Sequence, residues 1–200
     1  MSYLPYILVV VGALAFFLVS RRKHATRSRG PIPASGWRIG PVVNGENQSR
    51  NMPAEPTMQG AGWFLDFPAN GSVNYVQRFN GPPLGTSLTL RYRFEGGPVY
   101  GAEQPSEPAT ISLMLQRKGD DWIRPGYRWW SQMIPLVPGE HEVTVPLTVE
   151  HWGDMLDVPD ARAFAASLRD LDNIGVTFGS AAAPTHGAFG SGRFTLLSLG

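Results

Sequence analysis

SLTLRYRFEG, residues 87–96, alternates apolar and polar side chains: Leu88, Leu90, Tyr92 and Phe94 share one set of positions, and Thr89, Arg91, Arg93 and Glu95 the other. Successive side chains of a β-strand point to opposite faces, so this segment predicts a strand with one dry side. Working outward, the same alternation recurs in WFLDF (63–67), VNYVQRF (73–79), TISLMLQ (110–116) and YRWWSQMI (127–134), and again in EVTVPLTV (142–149), NIGVTF (173–178) and RFTLLSL (193–199). Eight half-buried runs separated by turn residues are most economically folded as an all-β, two-sheet sandwich.

One helix interrupts the strands. DVPDARAFAASLRDL (157–171) has Pro159 near a first helical turn and Asp157 as an N-cap, with Ala163, Phe164, Leu168 and Leu171 as its apolar stripe. On the other side of the strands, residues 28–62 are dense in Gly, Pro, Asn, Gln and Ser and keep no apolar period, which is linker chemistry. Before that lies an apolar run, Leu4 to Ser20, without a charged side chain. About 17 helical residues at ~1.5 Å each span roughly 26 Å, enough to cross a bilayer core. The expected organisation is therefore a transmembrane anchor over 1–20, a basic flank and Gly/Pro-rich linker over 21–61, and a sandwich domain over 62–200.

The anchor's flanks carry a topological expectation. Arg21, Arg22, Lys23, Arg27 and Arg29 follow it and no positive side chain precedes it, the reverse of a cleavable signal peptide. Basic flanks resist translocation, so a single-pass protein of a bacterial inner membrane is expected, its N-terminus outside and its domain cytoplasmic. The alternative is a periplasmic domain. Residues 4–20 would contact lipid tails, and the basic flank the anionic headgroups.

Composition excludes several functions. Of seventeen Lys/Arg, five sit in that flank, leaving twelve against sixteen Asp/Glu, so the domain lacks the basic footprint that nucleic acid requires. The chain has no Cys, which removes disulfides, thiolate metal sites and cysteine nucleophiles. Its four His lack metal-ligand spacing: His141-Glu142 is followed by no second His, and His186 lies in a Gly-rich loop. Asp120-Asp121 and Asp154 with Asp157 read as solvated turns without calcium-loop spacing. GAFGSG (187–192) precedes a strand and so is no phosphate loop. Neither an enzyme nor a cofactor is expected.

The C-terminal third carries a resemblance. A Trp-containing segment, a short helix, LDNIGVTFG, a Gly-rich loop with THG and a final GRFTLLSL strand resemble the galactose-binding-like jelly rolls, a group that includes carbohydrate-binding modules and complex I intermediate-associated assembly factors. The resemblance implies a jelly-roll β-sandwich from about residue 60 onward. It marks fold and leaves function to the site.

The aromatic residues are the remaining resource. Trp122, Tyr127, Trp129, Trp130 and Trp152 cluster mid-chain, and strand alternation sends Trp129 and Trp130 to opposite faces. With Arg128, Gln132, Arg91 and Arg93 as polar neighbours, they suit either a protein interface or a sugar surface. The leading expectation is a non-catalytic accessory subunit of a membrane complex, in layout similar to the H subunit of purple-bacterial reaction centres, with respiratory complexes equally open. A membrane-tethered carbohydrate-binding module and an assembly factor are the alternatives.

Overall fold

A computed structural model describes residues 32–43, 45–79 and 84–200. The expected anchor and its basic flank lie outside the described residues, among which no helix is long and apolar enough to cross a membrane. The described chain is an all-β sandwich of antiparallel sheets with one α-helix.

One sheet has seven strands. Its main path runs β1 (Trp37–Gly40), β6 (Tyr75–Phe79), β13 (Leu171–Ser180), β8 (Ala109–Arg117), β9 (Arg128–Ser131) and β12 (Trp152–Gly153), with β10 (Ile134–Pro135) also paired to β8. The other sheet has five: β11 (Gly139–Pro146), β7 (Ser87–Gly101), β14 (Ala188–Leu199), β5 (Gly62–Asp66) and β4 (Thr57–Gln59). A small ribbon joins β2 (Val42–Val43) to β3 (Glu46–Asn47). All eight alternating runs contain strands, and the 87–96 segment extends to Gly101.

The alternation places the core between the sheets. Leu88, Leu90, Tyr92 and Phe94 of β7 are buried as their spacing requires, facing Ile111, Leu113 and Leu115 of β8 and Ile174, Val176 and Phe178 of β13 within one cluster. Aromatic rings tie the layers together: Phe194 stacks on Tyr92 at 5.2 Å within its sheet and meets Phe178 of the other edge-on at 5.3 Å. Burying each such side chain contributes about 1.5–3 kcal/mol.

Two expectations need correction. The linker expected over 21–61 already belongs to the sandwich from Trp37, because β1 pairs with β6 and inserts Trp37 and Ile39 into the core. Residues 57–59 likewise pair with β5. The helix α1 covers Ala161–Arg169 and not 157–171; its N-cap is Asp160, whose carboxylate accepts from Ala163 N–H at 2.9 Å, while Asp157 takes a left-handed φ of 51° ahead of it. Leu171 starts β13 and leaves the apolar stripe.

Candidate functional site

Strand register arranges the outer face of the seven-stranded sheet as a grid. Phe79, Asn173, Gln116 and Arg128 align in one row, and Gln77, Gly175, Met114 and Trp130 in the next. Tyr75, Thr177 and Ser112 form a third. These side chains point away from the core, yet Gln77, Met114, Gln116, Asn173 and Arg128 are buried.

A polar network links the buried hydrophilic members. Gln77 Nε2 donates to Gln116 Oε1 (2.9 Å) and Asn173 Oδ1 (3.2 Å), and Asn173 Nδ2 donates to Gln116 Oε1 (2.7 Å). Gln116 Nε2 in turn donates to Asp120 Oδ2 (2.7 Å), which also pairs with Arg128 Nε at 2.7 Å. The Asp120 side chain is fully buried, so this ion pair holds a desolvated carboxylate with a charged partner and amide donors.

Asp120 also aims a tryptophan. Its Oδ1 accepts from Trp122 N–H at 2.9 Å, closing an Asx-type turn that leaves Trp122 at a left-handed φ of 71°. The indole then lies across the sheet's outer face, edge-on to Tyr75 at 5.6 Å and stacked under the Arg128 guanidinium at 4.2 Å. Trp130 flanks the same guanidinium at 5.6 Å. Arg128 thus sits between two partly buried indoles.

Beside them the face opens into a groove of about 1230 Å³. Asn47, Gln48, Asn51, Asn70 and Asn74 border it with Ser49 and Ser72, and Tyr75, Trp122 and Trp130 supply the aromatic wall. The wall on the amide side is anchored locally. Ser49 Oγ donates to Gly40 O (2.6 Å) and accepts from Asn74 N–H (2.9 Å), and Arg50 pairs with Ser72 as an antiparallel bridge. Arg128 faces Asp120 on this lining, and His186 Nδ1 lies 2.9 Å from Glu103, a contact between opposite charges only when the imidazole is protonated. Arg50, also on this lining, has no ion-pair partner among the described residues. A second groove of about 630 Å³ adjoins the first, and Trp130, Met155, Thr185 and His186 border both.

The expected site residues separate into groups. Trp122, Arg128 and Trp130 meet at the groove, and Gln132 borders the smaller one. Trp129 belongs to the core: it is fully buried, packs edge-on to Phe164 at 5.1 Å, and donates from Nε1 to Gly126 O (3.1 Å) and Ser167 Oγ (3.2 Å). Trp152 is also a core residue, donating to Pro146 O at 2.8 Å while one edge reaches the smaller groove. Tyr127 lies between the guanidiniums of Arg117 (4.8 Å) and Arg124 (5.5 Å), outside both grooves. Arg91 and Arg93 stand on the outer face of the other sheet, paired with Glu140 and Glu142 at 3.0–3.4 Å, and touch no part of this site.

The groove's amides escaped sequence reading because Asn47, Gln48 and Asn51 lie in a stretch read as linker, Asn70 lies between two strand runs, and Asn74 lies inside the run 73–79. Their signal was the density of Asn in NGENQSRN (44–51) and ANGSVN (69–74), which is equally the composition of a turn. Among the described residues no group of three or more His, Asp or Glu is disposed to hold a metal ion. No known protein-family model matches the chain, and no curated protein matches it significantly.

Proposed function

We propose that the chain is a non-catalytic glycan-binding module of jelly-roll topology, its groove taking a neutral oligosaccharide. The jelly-roll reading is supported by β5, β6, β7 and β8 falling alternately in the two sheets. The binding reading rests on one observation above all: the larger groove is lined by five primary amides and by indole rings, with its Arg128 paired to Asp120. Asn47 is held by Ile39 O and the Ser49 N–H, but a primary amide with a group to spare donates or accepts as a sugar hydroxyl does, and indole faces stack on the apolar faces of pyranose rings.

A polysaccharide affinity gel series tests this. The protein should be retarded by at least one neutral polysaccharide, and Trp130→Ala should abolish the retardation while leaving the thermal midpoint nearly unchanged. A folded protein that no polysaccharide retards would overturn the reading.

A second reading, the accessory subunit of a membrane complex, is favoured by a different observation. Ile123, Met155, Leu156 and Val158 are exposed on two loops that a hydrogen bond from Gly126 N–H to Asp154 Oδ2 (2.7 Å) ties together. Such a patch suits a protein surface. Orientation separates the two readings. Glycan binding calls for a domain outside the cytoplasm, against the bias of the basic flank, and a subunit docked from within calls for the opposite.

A further inference from the structure

We propose that the ligand is an amphiphilic glycan, with its hydroxyl-rich head among the amides of the larger groove and an alkyl or acyl chain in the smaller. This rests on the glycan-binding reading and adds the chemical class of the ligand.

Two features carry it. The grooves adjoin, with Trp130, Met155, Thr185 and His186 bordering both, so an amphiphile laid across these four residues would reach each groove. Their linings differ in kind, since the smaller groove is walled by Met133, Val149, Trp152, Pro159 and Pro184 where the larger has amides. An oligosaccharide alone would leave those apolar walls wet, whereas a hydrocarbon chain removes them from water. The mouth is built for such a chain: Met133 and Met155 are 43% and 48% exposed, and the unbranched thioether adapts to flexible apolar partners. The carboxylates bordering this groove set the chain's chemistry. Asp154 is committed to the backbone N–H groups of Gly126 and Leu156, and with Glu150 and Asp157 it disfavours a free fatty carboxylate. The chain therefore ends in no free carboxylate, and a glycosidic or ester bond joins it to the neutral head that the larger groove takes.

The test is calorimetric titration of the protein with hexyl, octyl and decyl maltosides and glucosides, each below its micelle concentration, beside the free oligosaccharides. Affinity should rise about three- to fourfold per added methylene over the shorter chains. Met133→Asp, at an exposed position that folding does not need, should flatten the series and leave the free oligosaccharide affinity as it was. Free oligosaccharide binding with no dependence on chain length would overturn this inference alone. Equal binding of an alkyl sulfobetaine of the same chain length, with no binding of the free oligosaccharides, would overturn it together with the glycan reading, as would failure of every compound to bind. A chain-length dependence that survives in Met133→Asp would overturn the assignment of the chain to the smaller groove.

Discussion

At the scale of single residues, Asp120 organises the site without being available to a ligand. One buried carboxylate pairs with Arg128, accepts from Gln116 and sets the backbone turn that presents Trp122. Removing one member of a buried ion pair leaves the other charge uncompensated, at a cost of about 3–5 kcal/mol. Asp120→Ala should therefore lower unfolding free energy by roughly that amount in urea titration. Arg128 is better understood the same way, as the spacer between Trp122 and Trp130 and not as a hydrogen-bond donor reaching into solvent. Sequence alternation showed that Trp129 and Trp130 face opposite ways. Which of them faces the core depended on register, since Leu115 opposite Trp129 is a core residue and Met114 opposite Trp130 is on the outer face. No local pattern encodes that pairing.

Among the elements, the middle of the seven-stranded sheet imposes the tightest constraint. Gly175 on β13 has no room for a side chain: a Cβ there would fall 2.2 Å from the Val76 carbonyl oxygen. Gly175→Ala should force β6 and β13 apart, costing about 1–3 kcal/mol or more and disturbing the amide network beside it, which equilibrium unfolding would register. The opposite sheet carries its charges differently. A hydrogen bond from Arg93, with the charges of Arg93 and Arg91 behind it, holds the Glu140 carboxyl below its ordinary range, and Arg193 does the same for Asp66 across 2.7 and 2.8 Å bonds. Folded-state values below the unfolded ones mean that the stabilisation is present at neutral pH and is lost as pH falls through the depressed values, below about pH 4. All four groups are largely exposed, so the effect is modest and screened by salt. The Glu140→Gln, Asp66→Asn double variant should consequently lose less thermal midpoint than the parent between about pH 5 and pH 3, with the difference shrinking in high salt. The cross-strand pairs themselves were half legible, because alternation put Arg91 and Arg93 on a wet face but could not say which strand lay opposite.

For the whole molecule, the described fold begins well before residue 62. β1 was hidden in the sequence because WRIG offers a single apolar alternation, Trp37 and Ile39, inside a run of Gly, Pro and Asn, and its partner β6 lies some forty residues away. Tertiary pairing makes the strand, and no local signal does. Loss of Trp37 and Ile39 alone removes about 1.5–3 kcal/mol of burial each, against a total stability of about 5–15 kcal/mol for a typical domain. A fragment of residues 32–200 should accordingly unfold cooperatively, and one of residues 62–200 should show a much lower midpoint or aggregate. The long strands were readable because their periodicity repeats four or more times. The groove was not, since its amides come from two segments, one before β4 and one after β5, that meet only in the folded chain.

The central claim, that this face binds a neutral glycan, is tested most directly by the indole N–H signals of the chain's six tryptophans in a nitrogen-15 correlation spectrum recorded while neutral oligosaccharides are added. Trp122 and Trp130 border the groove, whereas Trp37, Trp63, Trp129 and Trp152 are buried in the core. The account predicts saturable shifts of the Trp122 and Trp130 signals with the other four nearly still. It is contradicted if no oligosaccharide moves either signal in the folded protein, or if the shifts fall on the four core indoles instead.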